Sequence, residues 1–265
     1  GGSELLIGQT YTPLGSYFYS NSVFATDGDL LGVGQFYNGR QPMVQWKTGG
    51  LKLAAVTPVT PEDTDAFAID LIIPKLEASY QLKSDAWFMD IYGGFQTYGI
   101  DYFEGNDPTI NAYVVGLGGG MNFGAFYVNL GGHWGQNFGN YGAYGPSLGG
   151  LPPINDNAAI DADQNEIDNM GYGALGVLGF NLSDAWTIEA GYGYQYAELD
   201  VDGPEGDGES VWQAYINATI NIVPGFFIVP EVGYASYDYV DGRFAGEGDP
   251  NPNIFYAGAK WQINF

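Results

Sequence analysis

The sequence predicts an all-β fold, an antiparallel up-and-down sheet rolled into a membrane-spanning barrel. Three observations predict it. Residues 254–265 alternate strictly, with Phe255, Ala257, Ala259, Trp261, Ile263 and Phe265 on one parity. Tyr256, Gly258, Lys260, Gln262 and Asn264 take the other. Side chains two apart in a strand face the same way, so this strand has one apolar and one polar face. Charged residues make up only 14% of the 265, aromatics reach 16% and glycines number 42. Average soluble domains carry roughly 25% charge. The third observation is a regular alternation of short and long connections.

The strand-like segments are taken in order. Segments 4–11 and 41–48 flank a long connection, 12–40. Gly49-Gly50 turns the chain into 51–57, and 58–74 leads to 75–82. Lys83-Ser84-Asp85 turns it into 86–98, and 99–110 leads to 111–123. Gly124 turns it into 125–136, and 137–170 leads to 171–182. Ser183-Asp184 opens 185–199, where Trp186, Ile188, Ala190, Tyr192, Tyr194 and Tyr196 oppose Thr187, Glu189, Gly191, Gly193 and Gln195. In 211–222, Trp212, Ala214, Ile216, Ala218, Ile220 and Ile222 oppose Gln213, Tyr215, Asn217, Thr219 and Asn221. Val223-Pro224-Gly225 leads into 226–237, and 238–253 precedes the last segment. Glycine, Asp and Ser at the short connections are hairpin chemistry.

Twelve strands with short turns at one rim and long loops at the other match outer-membrane barrels. Both termini then fall on the periplasmic side. Trp87, Phe123, Trp186, Phe226 and Phe265 lie beside short turns, and Tyr98, Tyr113, Tyr194, Tyr196 and Tyr234 toward the long loops. Two interfacial aromatic girdles have this distribution. The rival is an ordinary soluble barrel or sandwich, for which the loop sorting and low charge are coincidences. The chain reads as one barrel domain, 1–265.

Several function classes fall away. No cysteine is present, which removes thiol nucleophiles, disulfides and cysteine metal sites. No apolar run approaches the roughly 18 residues of a membrane helix. The formal net charge of −24 argues against nucleic acid as a partner. The chain opens without Met or a signal peptide, which reads as a mature or truncated form.

Ile7-Gly8-Gln9-Thr10-Tyr11-Thr12-Pro13-Leu14, followed after a loop by Gly39-Arg40-Gln41-Pro42-Met43-Val44-Gln45-Trp46, resembles the trimeric sixteen-stranded porins of Gram-negative bacteria. The likeness is to the dicarboxylate-type and related general diffusion porins. It implies that the first segment ends a fifth strand and the second opens a sixth. It makes 12–40, with Asp27 and Asp29, a constriction loop folded into the pore. The twelve visible strands then correspond to strands five to sixteen, with four N-terminal strands missing. The implied function is passive diffusion of small hydrophilic solutes by a homotrimer in contact with membrane lipid and lipopolysaccharide. The acidic composition departs from the basic lumen expected of dicarboxylate porins and points to a weak cation preference.

Lipid-facing Lys or Arg at mid-membrane costs about 2–4 kcal/mol, so charges on strands should point inward. The candidate pore-lining residues are Arg40, Lys47, Lys52, Lys75, Glu77, Asp90, His133, Glu189, Glu231 and Lys260. A second reading places Lys47, Lys52 and Lys83 merely at the periplasmic rim, and the parity of Arg40 is open. Acidic loops form a negative vestibule, bind calcium through Asp161, Asp163, Asp200 and Asp202, or are plain solvated loops. None of them holds a full twelve-residue calcium loop, and no other cofactor is expected. His133, the sole histidine, lies on polar parity and reads as a lumen-wall residue, so no enzyme is expected. Gly116–Gly120 and Gly191–Gly193 lie inside strands without a following helix, so a phosphate-loop reading fails. The alternative function is a non-conducting structural or adhesive barrel whose loops bind ions or partners.

Overall fold

The computed structural model describes residues 2–23, 29–145, 147, 150–201, 208–240 and 251–264. Twelve strands form one antiparallel meander: β1 (Ser3–Tyr11), β2 (Arg40–Thr48), β3 (Leu51–Val56), β5 (Lys75–Lys83), β6 (Trp87–Tyr102), β7 (Thr109–Phe123), β8 (Phe126–Gln136), β11 (Asn169–Ser183), β12 (Trp186–Leu199), β13 (Glu209–Val223), β14 (Phe226–Asp238) and β15 (Asn253–Ile263). These are the twelve segments read from alternation. The last strand's call on Phe265 lies outside the described residues.

Three short strands were not foreseen. β4 (Phe67–Asp70) pairs with the outer end of β6 beyond β5, and β9 (Ala159–Ile160) pairs with β10 (Glu166–Ile167) apart from the wall. Pro74 separates β4 from β5, since proline has no N–H to give the ladder. The sheet also does not close. Among the described residues, β1 and β15 are its edges and pair only with β2 and β14. In hydrocarbon such edges must find hydrogen-bond partners.

Short turns and long connections fall on opposite rims. Gly49, Gly124 and Gly225 take positive φ at three of the short turns, a region an L side chain resists. Strands β6–β8 and β11–β15 run 11 to 16 residues, enough to meet or exceed the roughly 9–11 needed to cross a bilayer.

Their outward parity is apolar and exposed: Leu117, Leu130 and Leu178 are 54%, 60% and 64% exposed. Toward the long loops, outward aromatics touch across strands, with Tyr192–Trp212 and Trp212–Tyr234 ring centroids at 5.8 and 5.4 Å. Tyr98 does not join this belt. It shares the inward parity of Gln96, is fully buried, and accepts a hydrogen bond from Asn140.

Candidate functional site: the loop-crossed lumen

The inward face of the wall carries hydrogen-bonding side chains at alternate positions, and a long loop is fastened to them. The connection from β1 to β2 leaves the rim at Thr12, makes a 3-10 turn at Leu14–Ser16, and enters the lumen. Its path is traced by its partners. Leu14 N–H donates to Glu77 Oε2 on β5 (3.1 Å) and Tyr17 OH to Ser79 Oγ (2.9 Å). Tyr19 OH donates to Asp90 Oδ2 on β6 (3.2 Å), and Asn129 Nδ2 on β8 donates to the Tyr19 carbonyl (2.8 Å). Asn21 donates its backbone N–H and its side-chain amide to Glu189 on β12, both at 2.7 Å. Ser22 Oγ and Val23 N–H donate to the two oxygens of Glu231 on β14, both at 2.9 Å. In the ten residues from Leu14 to Val23 the loop passes from β5 to β14.

Local chemistry explains the path. Loop N–H groups inside a lumen need acceptors, because an unmade buried hydrogen bond costs about 1–3 kcal/mol. Carboxylates accept without donating, so a row of them suits a chain presenting N–H and amide groups. The wall also makes room: a Cβ at Gly118 or Gly131 would collide with the Tyr19 ring. Tyr19 stacks on Phe88 with a 4° interplanar angle.

Glu77, Asp90, Glu189 and Glu231 are thus inward but sealed, each no more than 3% exposed. They anchor the loop rather than face open water. Lys75 is likewise fully buried. Its Nζ donates to the Tyr141 carbonyl at 3.1 Å, sits 4.6 Å from that ring's centroid, and lies 3.9 Å from Glu77 Oε1. Lys52 is half-buried, donates to Ser16 Oγ at 2.8 Å and lies over the Tyr17 ring at 4.9 Å. It therefore touches the loop, whereas Lys47 and Lys83 are exposed beside the short turns. Lys260 lies on inward parity, 5.8 Å from the Phe227 ring centroid.

Arg40 is not on the inner wall proper. It opposes Tyr11, on the parity of Ile7 and Val44. At the rim its guanidinium packs 4.1 Å over the Tyr11 ring, and both border the cavity beside the loop. Asp29 borders the same cavity, while Asp27 lies outside the described residues. His133 is buried, with its ring 5.3 Å from both Phe36 and Phe138.

A second inserted segment carried no strand signal. After β8, Asn137 turns the chain into a four-residue helix, α1 (Phe138–Tyr141), which points back into the lumen. Phe138 and Tyr141 are buried against Phe36 of the first loop. Gln96 holds the segment by donating to the carbonyls of Asn140 (2.7 Å) and Val59 (2.6 Å). The available signal was the aromatic spacing of Phe138, Tyr141 and Tyr144 in a loop otherwise rich in Gly and acids.

The outer loops carry the calcium candidates. Asp161 Oδ1 accepts the N–H groups of Asp163 (2.9 Å) and Asn165 (2.7 Å), and the Asn165 N–H chiefly holds its carboxyl below the ordinary range. Asp200 is exposed, and Asp202 lies outside the described residues. Among the described residues no group of three or more His, Cys, Asp or Glu is placed to hold a metal ion. Nearby, Glu166 and Asp168 share the Asn137 amide, at 3.3 and 2.9 Å. Burial first, and then the Asp168 charge, pushes the Glu166 carboxyl up to about 7.

No protein-family model matches the sequence, and no curated protein does. Among solved structures, the chain superposes on the outer membrane channel DcaP of Acinetobacter baumannii with a TM-score of 0.75 at 17% identity, covering 98% of this chain and 71% of that one. This is the fold of the outer-membrane porins. In-vitro folded OmpT, an outer membrane protein of Vibrio cholerae, superposes at 0.56 with 14% identity over 98% of this chain and 76% of that one. A trimer form of OmpT superposes at 0.53, also at 14%, over 98% and 77%. Beside the first loop the structure leaves a cavity of about 1070 Å³.

Proposed function

We propose that the protein is a passive diffusion channel of the outer membrane for small hydrophilic solutes, with residues 12–40 forming the constriction. One observation carries the reading: a loop hydrogen-bonded to inward groups from β5 to β14 leaves a cavity of about 1070 Å³ beside it. An apolar outer face and a polar, loop-crossed interior fit a cylinder bathed by lipid and filled by water. The likeness to a channel supports transport without a chemical step, and the burial of His133 between Phe36 and Phe138 fits that reading.

A weak cation preference goes with it. Exposed acids at Glu62, Asp63, Asp65, Asp101, Glu104 and Asp107, on the neighbouring connections β3–β5 and β6–β7 and the outer end of β6, raise local cation concentration at that side of the outer rim. Arg40, Asp29 and Lys260 beside the constriction keep the preference small. A homotrimer touching lipid and lipopolysaccharide is proposed from the trimer form of OmpT and from the exposed apolar wall.

Reconstitution of the full chain in a planar bilayer, with a KCl gradient, tests the reading. Discrete conductance steps and a small cation-directed reversal potential are expected. A sealed bilayer would overturn the channel and favour the structural barrel, whose lumen the two inserted segments close.

A further inference from the structure

We propose that Leu71, Ile72 and Ile73 form an apolar finger that leaves the barrel wall sideways and dips among the acyl chains of the outer-leaflet lipid. The proposal rests on the outer-membrane reading and names the segment that fixes the outer rim to the lipid.

The finger begins as a shift of register. Asp70 of β4 faces Gly99 of β6, and Leu76 of β5 faces Phe95 of the same strand. Five residues intervene between Asp70 and Leu76, but only three between Phe95 and Gly99, so two residues are in excess. Pro74, with no N–H for the ladder, ends the excess segment. Extra residues in a strand pair leave the sheet as a bulge. The lumen side is already filled at this height. Gln96 accepts from the Val59 N–H at 2.9 Å and donates to the Val59 and Asn140 carbonyls at 2.6 and 2.7 Å, and Asn140 donates to Tyr98 OH at 3.0 Å. The excess therefore goes to the outer face, where Leu71, Ile72 and Ile73 are 54%, 53% and 36% exposed.

Its height selects the medium. Thr97, opposite the bulge, is the eleventh residue of β6 counted from the short turn, and a tilted strand crosses the hydrocarbon in about 9–11. On the membrane side of the finger the outward residues Leu76 and Phe95 are exposed and apolar. Beyond it the exposed residues Asp70 and Asp101 begin the acidic rim. Backbone that has left the ladder is not tolerated in the hydrocarbon itself. The peptide groups of 71–74 therefore lie at headgroup level, with the side chains directed into the upper acyl layer, as apolar faces at membrane interfaces are.

Charge favours lipid over a second copy of this chain. The flanking stretches 58–74 and 99–110 hold Glu62, Asp63, Asp65, Asp70, Asp101, Glu104 and Asp107, and no Lys or Arg. A second copy docking the same rim here would set like charges against one another, at a cost of several kcal/mol. Acyl chains carry no charge. Three adjacent exposed aliphatic side chains, continuous with an apolar wall, suit an apolar medium.

The test uses the absence of cysteine, which lets a single introduced cysteine carry a nitroxide without background. Ile72→Cys, Leu117→Cys on the outward wall and Glu62→Cys in the acidic connection are each labelled, and the full chain is folded into phosphatidylcholine vesicles. Power-saturation EPR then compares collision with oxygen, which partitions into hydrocarbon, and with a neutral nickel chelate, which stays in water. The oxygen-to-nickel ratio at Ile72 is expected to be several-fold above that at Glu62 and below that at Leu117. A ratio at Ile72 equal to that at Glu62, with Leu117 on the hydrocarbon side, overturns the finger and leaves the membrane barrel standing. A label at Ile72 shielded from both reagents marks cover by protein, a second copy included, and overturns it as well. A Leu117 label open to nickel is the failure of the membrane reading, and the finger fails with it.

Discussion

Asn21 is held at both its backbone and its side chain by one carboxylate. The two oxygens of Glu189 accept its N–H and its amide at 2.7 Å each, and Tyr215 OH donates to the same carboxylate at 2.6 Å. Glu189 is 1% exposed, so water offers these donors little substitute. Hydrogen bonds to charged groups contribute about 1.5–3 kcal/mol each. Glu189→Ala should therefore free the far limb of the constriction loop. Single-channel recording is expected to show larger unitary conductance with added open-channel noise. Recordings indistinguishable from the parent would mean that the remaining anchors, Asp90, Asn129 and Glu231 among them, fix the loop without Glu189.

The Lys75–Glu77 pair connects the two inserted segments, because Glu77 accepts from Leu14 and Asn38 while Lys75 donates to Tyr141. Removing one partner of a buried pair leaves an uncompensated charge, at a cost of about 3–5 kcal/mol. Lys75→Met should lower stability by that order, measured by urea unfolding from lipid vesicles. Lys75→Met with Glu77→Gln removes both charges and should recover a large part of the loss. Equal destabilisation in the single and double variants would show that Lys75 acts through packing on Tyr141.

What the sequence revealed, and what it hid, follows from the range of each interaction. The twelve wall strands were legible because alternation is local: Trp212 and Ile216 against Gln213 and Tyr215 already state which face turns outward. β4 was missed because four residues before Pro74 give too little period to read. Parity also placed Glu77, Asp90, Glu189 and Glu231 inside. That they would be capped by loop amides was invisible, since Asn21 lies 168 residues from Glu189 and no local pattern links them. Tyr98 was assigned to the outer belt by its nearness to a loop, though its shared parity with Gln96 already argued for the interior. The second insertion at Phe138–Tyr141 has neither strand alternation nor helical length, and only its tertiary contacts define it.

Glu166 supplies a pH dependence in the outer loops. Its carboxyl is pushed from an ordinary 4.5 up to about 7, chiefly by burial and then by Asp168. A group with a raised folded pKa holds its proton more tightly when folded, so protonation stabilises the folded state. That contribution is full below about 4.5 and is lost as pH rises through about 7. Hydrogen exchange, corrected for its intrinsic pH dependence, should show β9 and β10 better protected at the acid end of this window. Glu166→Gln should flatten the profile. A profile unchanged by that substitution would assign the effect to another group.

The outer wall gives a test of which solvent surrounds it. Leu117 lies mid-strand on β7, opposite Ile91, and is 54% exposed. In water, replacing an exposed Leu changes stability by only about 0.5 kcal/mol in either direction. In hydrocarbon, Arg at the midplane of a barrel wall costs about 2–4 kcal/mol, falling to about 0–1 near the interface. Leu117→Arg should therefore destabilise the vesicle-inserted protein by the larger amount, measured by reversible urea unfolding. Thr48→Arg, beside the Gly49 turn, should cost little. The difference between the two positions matters more than either value, because a general dislike of Arg in strands would penalise both alike. Equal small effects would mean that Leu117 faces water, and an apolar wall facing water cannot belong to a protein that spans a membrane.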